Sequence, residues 1–333
     1  MSTILDSKEL LSFQEDCRAL RSEMEKRLVG QGDAAEGLLL ALFVGGHVLL
    51  EGPPGVGKSL LGTTLAEITG LNSLRIQFTP DLTPADILGT YVVVESPQGR
   101  RTFQFHQGPL FTNIVLAEHL NRGTPRTQSG LLEALESPQV SVFNEKFDLP
   151  QPFMVIAAQN PEESEGVYPL PEPELDRFLF KLLLPPLSVA AVESILQRTT
   201  DSQPPLLRAV VDGARLLHMR RVVPRVEMPA ELRHWVAGLI AATHPQNPQA
   251  PETVRRLIRQ GASPRAAQAV VLGAKARAAA DGRGRLSSGD LLAVLRPALR
   301  HRLTLSFEAQ SEGLSCDAIL DEVLRLWPVP RGL

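Results

Sequence analysis

Short apolar runs alternate with amphipathic segments in the N-terminal part of the chain. Apolar positions recur at helical spacing over residues 8–28 and 33–44, which predicts two N-terminal helices. Continuous apolar runs then predict strands at residues 47–51, 74–78, 113–117, 153–158 and 178–184, with helices between them such as residues 58–68 and 127–137. Buried strands that alternate with helices are typical of a parallel sheet covered on both faces. The sequence therefore predicts an α/β sandwich with a parallel five-stranded sheet.

Two stretches break this rhythm because their apolar residues alternate with polar ones. Residues 91–105 alternate around a Ser-Pro-Gln-Gly segment at residues 96–99, which predicts a β-hairpin. Residues 140–147 predict a second hairpin that turns at Asn144.

The pattern changes again after Pro185 and Pro186, which end the last predicted strand and open a linker. Beyond them, helical spacing predicts helices at residues 189–198, 205–219, 230–243, 251–259, 263–280, 287–298 and 316–326. We therefore expect a first domain over residues 1–186 and an all-α domain over residues 187–333.

The composition of the chain limits the classes of protein to which it can belong. Of 333 residues, 43% are hydrophobic and 21% are charged, so the chain can bury a sizeable core. The formal net charge of −3 gives no general attraction to nucleic acid or acidic membranes. Apolar runs are too short to cross a bilayer and the N-terminus is polar, so we expect no membrane insertion and a cytoplasmic location. Cys17 and Cys316 fit a reducing cytoplasm, and no histidine spacing predicts zinc.

The most specific motif is the segment of residues 52–59, which matches G-x-x-x-x-G-K-[ST] between a predicted strand and a predicted helix. Its glycines allow backbone N–H groups to surround phosphates, and the helix start directs its positive end toward them. Lys58 supplies a charge near the β- and γ-phosphates, and Ser59 is the expected Mg²⁺ ligand. The nucleotide-binding residues predicted here are Gly52, Pro53, Gly55, Val56, Gly57, Lys58, Ser59 and Leu60.

The motif alone does not fix the class of nucleotide-binding protein. Kinases and GTPases also contain it, but no guanine-reading N-K-x-D motif occurs here, so ATP is favoured.

Further segments resemble the MoxR family of AAA+ ATPases in the helix-2-insert clade. Residues 81–89 are similar to the segment before the family's insert, and the hairpin at about residues 90–106 is similar to the insert itself. Other similar segments are the Walker B region (residues 108–122 and 127–129), sensor 1 (158–161), the arginine-finger stretch (165–178), sensor 2 (261–266) and a late lid helix (299–303). The resemblance covers about residues 28–325.

The resemblance implies roles for individual residues. Asn160 would orient the attacking water or the γ-phosphate, and Gly30 and Gln31 would lie beside the adenine. Arg177 would reach the nucleotide of a neighbouring subunit, whereas Arg265 would contact the phosphates of its own subunit. A guanidinium suits both tasks because it is permanently charged and forked toward phosphate oxygens.

One segment departs from the family pattern. The strand before Asn121 usually ends in Asp-Glu, but here it ends in Glu118-His119. Glu118 would hold Mg²⁺ with an arm longer by roughly 1.5 Å. A neutral His119 could accept the proton of water, whereas a protonated His119, favoured beside a triphosphate, could bind the γ-phosphate. The chain is then either a slow or inactive ATPase, or an active one in which His119 or a carboxylate such as Glu162 or Glu163 assists water.

The resemblance also implies partners. An arginine supplied to the next subunit implies a homo-oligomeric ring, expected to be a hexamer, that acts as a chaperone-like remodeler. It further implies a partner protein with a von Willebrand factor A domain. Two alternatives stay open, an ATP-stabilised ring scaffold without turnover and a DNA-associated motor. Arg100 and Arg101 in the hairpin are only a weak hint of DNA binding, since the arginines of the helical domain are scattered.

Overall fold

The structure is a computed structural model that describes residues 5–95, 101–161, 163, 166–200 and 205–330. The predicted turn at residues 96–99, Arg100 and Glu162 lie outside the described residues. In chain order, the first domain contains α1 (Ser7–Arg27), α2 (Gly32–Val44), β1 (Val48–Glu51), α3 (Lys58–Thr69), β2 (Ser73–Gln77), α4 (Pro84–Leu88), β3 (Gly89–Glu95), β4 (Arg101–Gln107), β5 (Ile114–Glu118), α5 (Pro125–Glu136), β6 (Gln139–Val142), β7 (Glu145–Asp148), β8 (Met154–Gln159), α6 (Glu172–Leu175) and β9 (Phe180–Leu183).

The predicted parallel five-stranded sheet is confirmed, with the strand order β2-β5-β8-β1-β9. Both faces of the sheet are covered by apolar clusters. A strand can contribute to both clusters because its successive side chains point to opposite faces. Within β5, Ile114 and Leu116 belong to one apolar cluster, and Val115 and Ala117 belong to another. Since the strands are parallel, the loops that follow β1, β5 and β8 meet at one edge of the sheet.

A helical lid domain follows the sheet, as predicted. Its elements are α7 (Val189–Thr200), α8 (Gly213–Val222), α9 (Ala230–Ala242), α10 (Glu252–Leu257), β10 (Ile258–Gln260), α11 (Pro264–Ala280), α12 (Ser288–Leu299), β11 (Thr304–Leu305), α13 (Phe307–Ser311) and α14 (Cys316–Leu326). The structure adds one feature to it, a short antiparallel pair in which Ile258 lies opposite Leu305. The helix predicted over residues 251–259 therefore ends earlier than expected.

The start of α8 also differs from the prediction of a helix over residues 205–219. The stretch before Asp212 is not helical, because its backbone bonds to other elements. Val210 N donates to Ile68 O (2.8 Å), and Arg208 N donates to a carboxylate oxygen of Glu23 (3.2 Å). Asp212 then caps the helix by accepting a hydrogen bond from Arg215 N at 2.7 Å. Tertiary contacts thus override the local helical pattern.

The lid and the N-terminal helices share one apolar cluster with a face of the sheet. A side chain at Gly273 in α11 would come within 2.6 Å of the Phe180 ring, and one at Gly37 in α2 within 2.5 Å of Leu182. These glycines let α11 and α2 pack closely against β9. Among the described helices, none is long and apolar enough to cross a membrane.

The two predicted hairpins are confirmed and contact each other. Tyr91 in β3 lies opposite Phe105 in β4, and its hydroxyl donates to Glu145 in β7 at 2.6 Å. The Phe105 ring stacks on Phe147 at a centroid distance of 4.3 Å. The β6–β7 turn has positive φ at Phe143 (49°) and Asn144 (68°), as a tight hairpin requires. The hairpins therefore form one projection.

The buried His47 at the start of β1 makes stability depend on pH. Its Nδ1 accepts a hydrogen bond from Val155 N at 3.0 Å, and burial lowers the pKa of His47 from 6.5 to about 4. Between these values the unfolded chain binds the extra proton more readily than the folded chain. We expect the free energy of unfolding to fall as pH drops from 6.5 toward 4, by up to about 3 kcal/mol from this residue.

Chemical denaturation at several pH values tests this expectation. The His47→Asn variant should be less stable at neutral pH and should show a weaker pH dependence than wild type. The His106→Asn variant, at an exposed histidine of the hairpin, should keep the wild-type slope. Equal slopes for His47→Asn and wild type would contradict the assignment.

Candidate functional site

The loop between β1 and α3 forms an open cradle at the carboxyl edge of the sheet. Gly55 and Gly57 adopt left-handed conformations with φ of 82° and 99°, which side chains rarely tolerate. A Cβ at either glycine would meet no other atom within 4 Å, so the space in front of the loop is free. The loop thus has the shape and backbone conformation that a phosphate group requires.

Lys58 places its ammonium group inside this loop. Its Nζ donates to the carbonyl oxygens of Gly52 (2.5 Å) and Pro53 (2.8 Å). Partial burial lowers the pKa of Lys58, and the nearby carboxylates of Glu163 and Glu118 oppose that shift. The residue lines a cavity of about 460 Å³ and offers a held cation to an anion there.

Ser59 and Glu118 face each other across the same cavity. The Ser59 hydroxyl donates to one oxygen of Glu118, and Arg75 Nε donates to the other at 2.6 Å. Glu118 is only 7% exposed, and a buried carboxylate needs a compensating charge. The guanidinium of Arg75 supplies that charge. A hydroxyl and a carboxylate are oxygen ligands of the kind that Mg²⁺ prefers, so the pair fits this ion despite the longer glutamate arm. Bound there, Mg²⁺ would neutralise negative charge on phosphate oxygens.

His119 lies directly after this pair, at the carboxyl end of β5. It adopts a left-handed conformation with φ of 53°. Its Nδ1 is 3.4 Å from Oε1 of Glu163, whose Oε2 accepts from Arg122 Nε at 2.9 Å. The hydrogen bond from Arg122 is the main cause that lowers the pKa of Glu163, and Asn160 also bonds to this carboxylate. His119, Asn160 and Glu163 line the cavity together.

A second cavity of about 350 Å³ adjoins the first and shares Gly55, Gly57 and Leu60 with it. Apolar side chains such as Val56, Leu187 and Ile195 line it, which suits a flat base. The two cavities together fit a nucleotide, with the base on the apolar side.

Gly30 and Gln31 support this second cavity. The Gln31 amide donates to Val56 O (3.3 Å) and Pro185 O (3.2 Å), so it ties the phosphate loop to the linker before the lid. Gly30 has φ of 75°, and a side chain there would press on Leu187 and Ala191 at 3.0 Å. Gly30 does not line the cavity but allows its wall to pack.

Arg177 and Arg265 lie at the opposite edge of the sheet. Their Nη2 atoms are 3.2 Å and 3.4 Å from Oε1 of Glu136, so both guanidinium groups share one carboxylate. They line a cavity of about 260 Å³ together with Gly45 and Gly46, which precede β1. The phosphate loop follows β1 instead.

This position bears on one expectation. Arg265 is expected to contact the phosphates of its own subunit, but the structure places it at the sheet edge opposite its own phosphate loop. Arg177 comes just before a predicted strand, and this sequence position alone indicates that it lies at the amino end of β9. The place of Arg265 depends on how α11 packs, and no local pattern indicates it. The Glu163 contact with His119 likewise requires the fold of the loop after β8.

Comparisons with known proteins agree with this geometry. Residues 47–180 match the family model described as "ATPase family associated with various cellular activities (AAA)", and residues 251–323 match an AAA lid domain. The chain is 36% identical over 309 residues to "Chaperone MoxR1" of Mycobacterium tuberculosis, covering 93% of this chain and 81% of the relative. It is also 36% identical over 325 residues to the uncharacterized protein YeaC of Bacillus subtilis, covering 96% and 98%.

Two further similarities extend over most of the chain. "Protein MoxR" of Methylorubrum extorquens is 28% identical over 322 residues and 92% of each chain is covered. A crystal structure of a Cytophaga hutchinsonii protein proposed to be an ATPase superposes with a TM-score of 0.87 at 34% identity, covering 96% of each chain.

The fit of Glu118 to Mg²⁺ predicts how substitutions alter metal dependence. We expect Glu118→Gln to raise the Mg²⁺ concentration needed for half-maximal nucleotide binding by about tenfold or more, because a charged oxygen ligand is lost. Glu118→Asp, with the shorter arm, should bind Mg²⁺ at least as well as wild type. A Mg²⁺ titration of fluorescent ADP binding measures both. Glu15→Gln, at an exposed position of α1, is the control, and an unchanged Glu118→Gln would remove this residue from the site.

Proposed function

The chain belongs to the MoxR family of AAA+ ATPases, and we propose that it binds Mg-ATP, hydrolyses it and uses the energy to remodel partner proteins. The observation that carries this proposal is the convergence of Lys58, Ser59, Glu118, His119 and Asn160 on one cavity at the carboxyl edge of the sheet. Lys58 and Ser59 begin the helix after β1, whereas the other three lie at or just beyond the ends of β5 and β8. Together they supply a cation, oxygen ligands, an imidazole and a polar amide to the same space.

In the proposed complex the loop of residues 52–57 surrounds the phosphates with backbone N–H groups. Lys58 exchanges its loop carbonyl partners for the β- and γ-phosphate oxygens, which are stronger acceptors for an ammonium group. Ser59 and Glu118 hold Mg²⁺, and Asn160 orients the attacking water. The base lies in the apolar cavity beside Gln31.

His119 stands where the family usually has the glutamate that activates water, and we propose that hydrolysis is slower for this reason. A neutral imidazole can accept a proton from water, whereas an imidazolium cannot. The imidazole of His119 lies beside Glu163, with its Nδ1 3.4 Å from Oε1 of that carboxylate. It would therefore activate water only when it is neutral.

The opposite placement of the arginines supports a ring of identical subunits. Arg177 and Arg265 share Glu136 at the edge that faces away from the phosphate loop of their own chain. Two guanidinium groups on one half-exposed carboxylate leave excess positive charge at that edge. We propose that this edge meets the nucleotide of the next subunit, and that the assembly is a hexamer.

The paired hairpins are the part of the first domain best suited to contact a partner protein. Phe103 and Phe143 are 77% and 75% exposed on this projection, which is unusual for large apolar side chains. The name "Chaperone MoxR1" of the M. tuberculosis relative supports a chaperone-like role. A protein with a von Willebrand factor A domain is the partner class that we propose.

Phosphate release at saturating Mg-ATP tests the proposed activity. Wild type should exceed a Lys58→Ala control. His119→Glu should be faster than wild type by roughly tenfold or more, since a positioned general base contributes about 10²–10⁴-fold and His119 supplies only part of that effect. Nucleotide binding should be similar in wild type and His119→Glu. If neither protein releases phosphate while both bind ATP, the chain is an ATP-dependent scaffold and the proposed hydrolysis fails.

The placement of Arg265 gives a separate expectation. Arg177→Ala and Arg265→Ala should each lower turnover by about 100-fold or more, because each removes positive charge from the transition state at the neighbouring site. The affinity of the isolated subunit for ADP should stay unchanged, since neither arginine lies near its own phosphate loop. Titration calorimetry on dilute subunits measures this affinity, and weaker ADP binding by Arg265→Ala would contradict the proposed action on the neighbouring subunit.

A further inference from the structure

The segment that carries Arg177 is bound on one side by the lid domain. Residues 172–181 lead from α6 into β9, and lid side chains hydrogen-bond to this segment repeatedly. The lid residues involved are Arg259, Ser263, Arg300, His301 and Arg302. The backbone around Arg177 is therefore hydrogen-bonded to the lid, although these residues belong to the sheet domain in sequence.

Arg302, which follows α12, makes the densest set of these contacts. Its Nε donates to Oδ1 of Asp176 at 2.8 Å. Its Nη2 donates to the backbone oxygens of Asp176 (2.8 Å) and Phe178 (2.6 Å), and its Nη1 to those of Leu179 (3.0 Å) and Ala298 (2.5 Å). All five N–H donors of the guanidinium therefore form hydrogen bonds. The Arg302 side chain is only 3% exposed. The carbonyls on both sides of Arg177 are fixed to one rigid fork.

Asp176 completes this junction from the other side. Each of its carboxylate oxygens lies 2.8 Å from the Ser263 hydroxyl, and its charge is paired with Arg302. Arg265 Nη1 lies 3.7 Å from Oδ2. Asp176 therefore contacts Ser263 at the N-cap of α11, Arg302 beyond α12, and Arg265, and it precedes Arg177 in the chain.

The side chain of Arg177 is also directed by its surroundings. Its Nη1 donates to Leu132 O at 2.8 Å and its Nη2 approaches Glu136, where Arg265 arrives from the lid. Its buried Nε has no hydrogen-bond partner among the described residues. The junction at Asp176 thus joins the two elements whose arginines meet at Glu136.

We infer that Asp176 and Arg302 are positioning residues that hold Arg177 and Arg265 together as one anion-binding unit for the nucleotide of the neighbouring subunit. Neither residue touches that nucleotide. They fix the Arg177 backbone to the lid, so that the two guanidinium groups keep a constant spacing. This inference rests on the proposed ring, in which the unit meets the next subunit's phosphates.

The inference predicts a defect in turnover without a defect in nucleotide binding. Asp176→Asn should lower turnover by about 100-fold, as a misplacement near 1 Å does for a catalytic group. Its ADP affinity should match wild type because the phosphate loop lies at the other sheet edge. Ser263→Ala removes the hydroxyl bonded to Asp176 but keeps the buried ion pair, and should give a smaller loss. Asp321→Asn, which removes an exposed lid ion pair with Arg296, should retain wild-type turnover.

Mixing subunits separates a positioning role from a folding defect. Lys58→Ala chains cannot use their own phosphate loop but keep both arginines, whereas Asp176→Asn chains keep the loop. Mixed assemblies should release phosphate faster than the sum of the two separate preparations. Arg177→Ala mixed with Lys58→Ala should be rescued in the same way and serves as the reference.

The outcomes distinguish this inference from the proposed function. If wild type does not assemble, or if the Arg177→Ala reference mixture is not rescued, the arginine does not act between subunits and the proposed ring site fails. If that mixture is rescued but Asp176→Asn either turns over like wild type or stays inactive when mixed, the positioning role of Asp176 is overturned.

Discussion

The common direction of the five strands determines where every functional group of the molecule lies. The ends of β1, β5 and β8 meet at one edge, so the phosphate loop, the pair Glu118-His119 and the segment at Asn160 come together without long connections. The same polarity puts the residues before β9 at the opposite edge. A guanidinium there cannot return to its own phosphate loop, because a sheet buried on both faces lies between them. In the proposed ring, a complete site would therefore need two copies of the chain.

The sequence alone predicts the features whose interactions are local. The strand, loop and helix around Lys58, the buried strands and the tight turn at Asn144 follow from patterns within about ten residues. Features that depend on contacts with residues far away in the sequence are not predicted by such patterns. Residues 205–212 look helical but bond to Ile68 and Glu23, and Arg265 is brought beside Arg177 by the packing of α11 on β9 at Gly273.

Charge compensation explains how the phosphate cavity tolerates two carboxylates beside a substrate that is itself negative. Arg75 pairs with Glu118 and Arg122 pairs with Glu163, each from outside the cavity. Among the described residues, Lys58 meanwhile hydrogen-bonds to the neutral carbonyls of Gly52 and Pro53. Lys58, at the phosphate loop, thus differs from Arg75 and Arg122 in that its described hydrogen bonds are not to a carboxylate. His119 follows Glu118 in the chain and lies beside Glu163, and its imidazole can serve as a base only when it is neutral.

In the proposed ring, the helical domain would reach two different nucleotide sites through different helices. Ile195 of α7 lines the base cavity of its own chain, and α11 and α12 hold the arginine edge through Ser263 and Arg302. A shared apolar cluster runs from α1 and α2 through β9 into α11 and α12, and separating these elements would expose it to water. The same cluster includes residues of β1, β5 and β8, so we expect the sheet, α11 and α12 to move as one body that carries the arginine edge. A nucleotide bound at the phosphate loop of this body would then shift the charges offered to the neighbouring subunit, which is how adjacent sites in the proposed ring can be coupled.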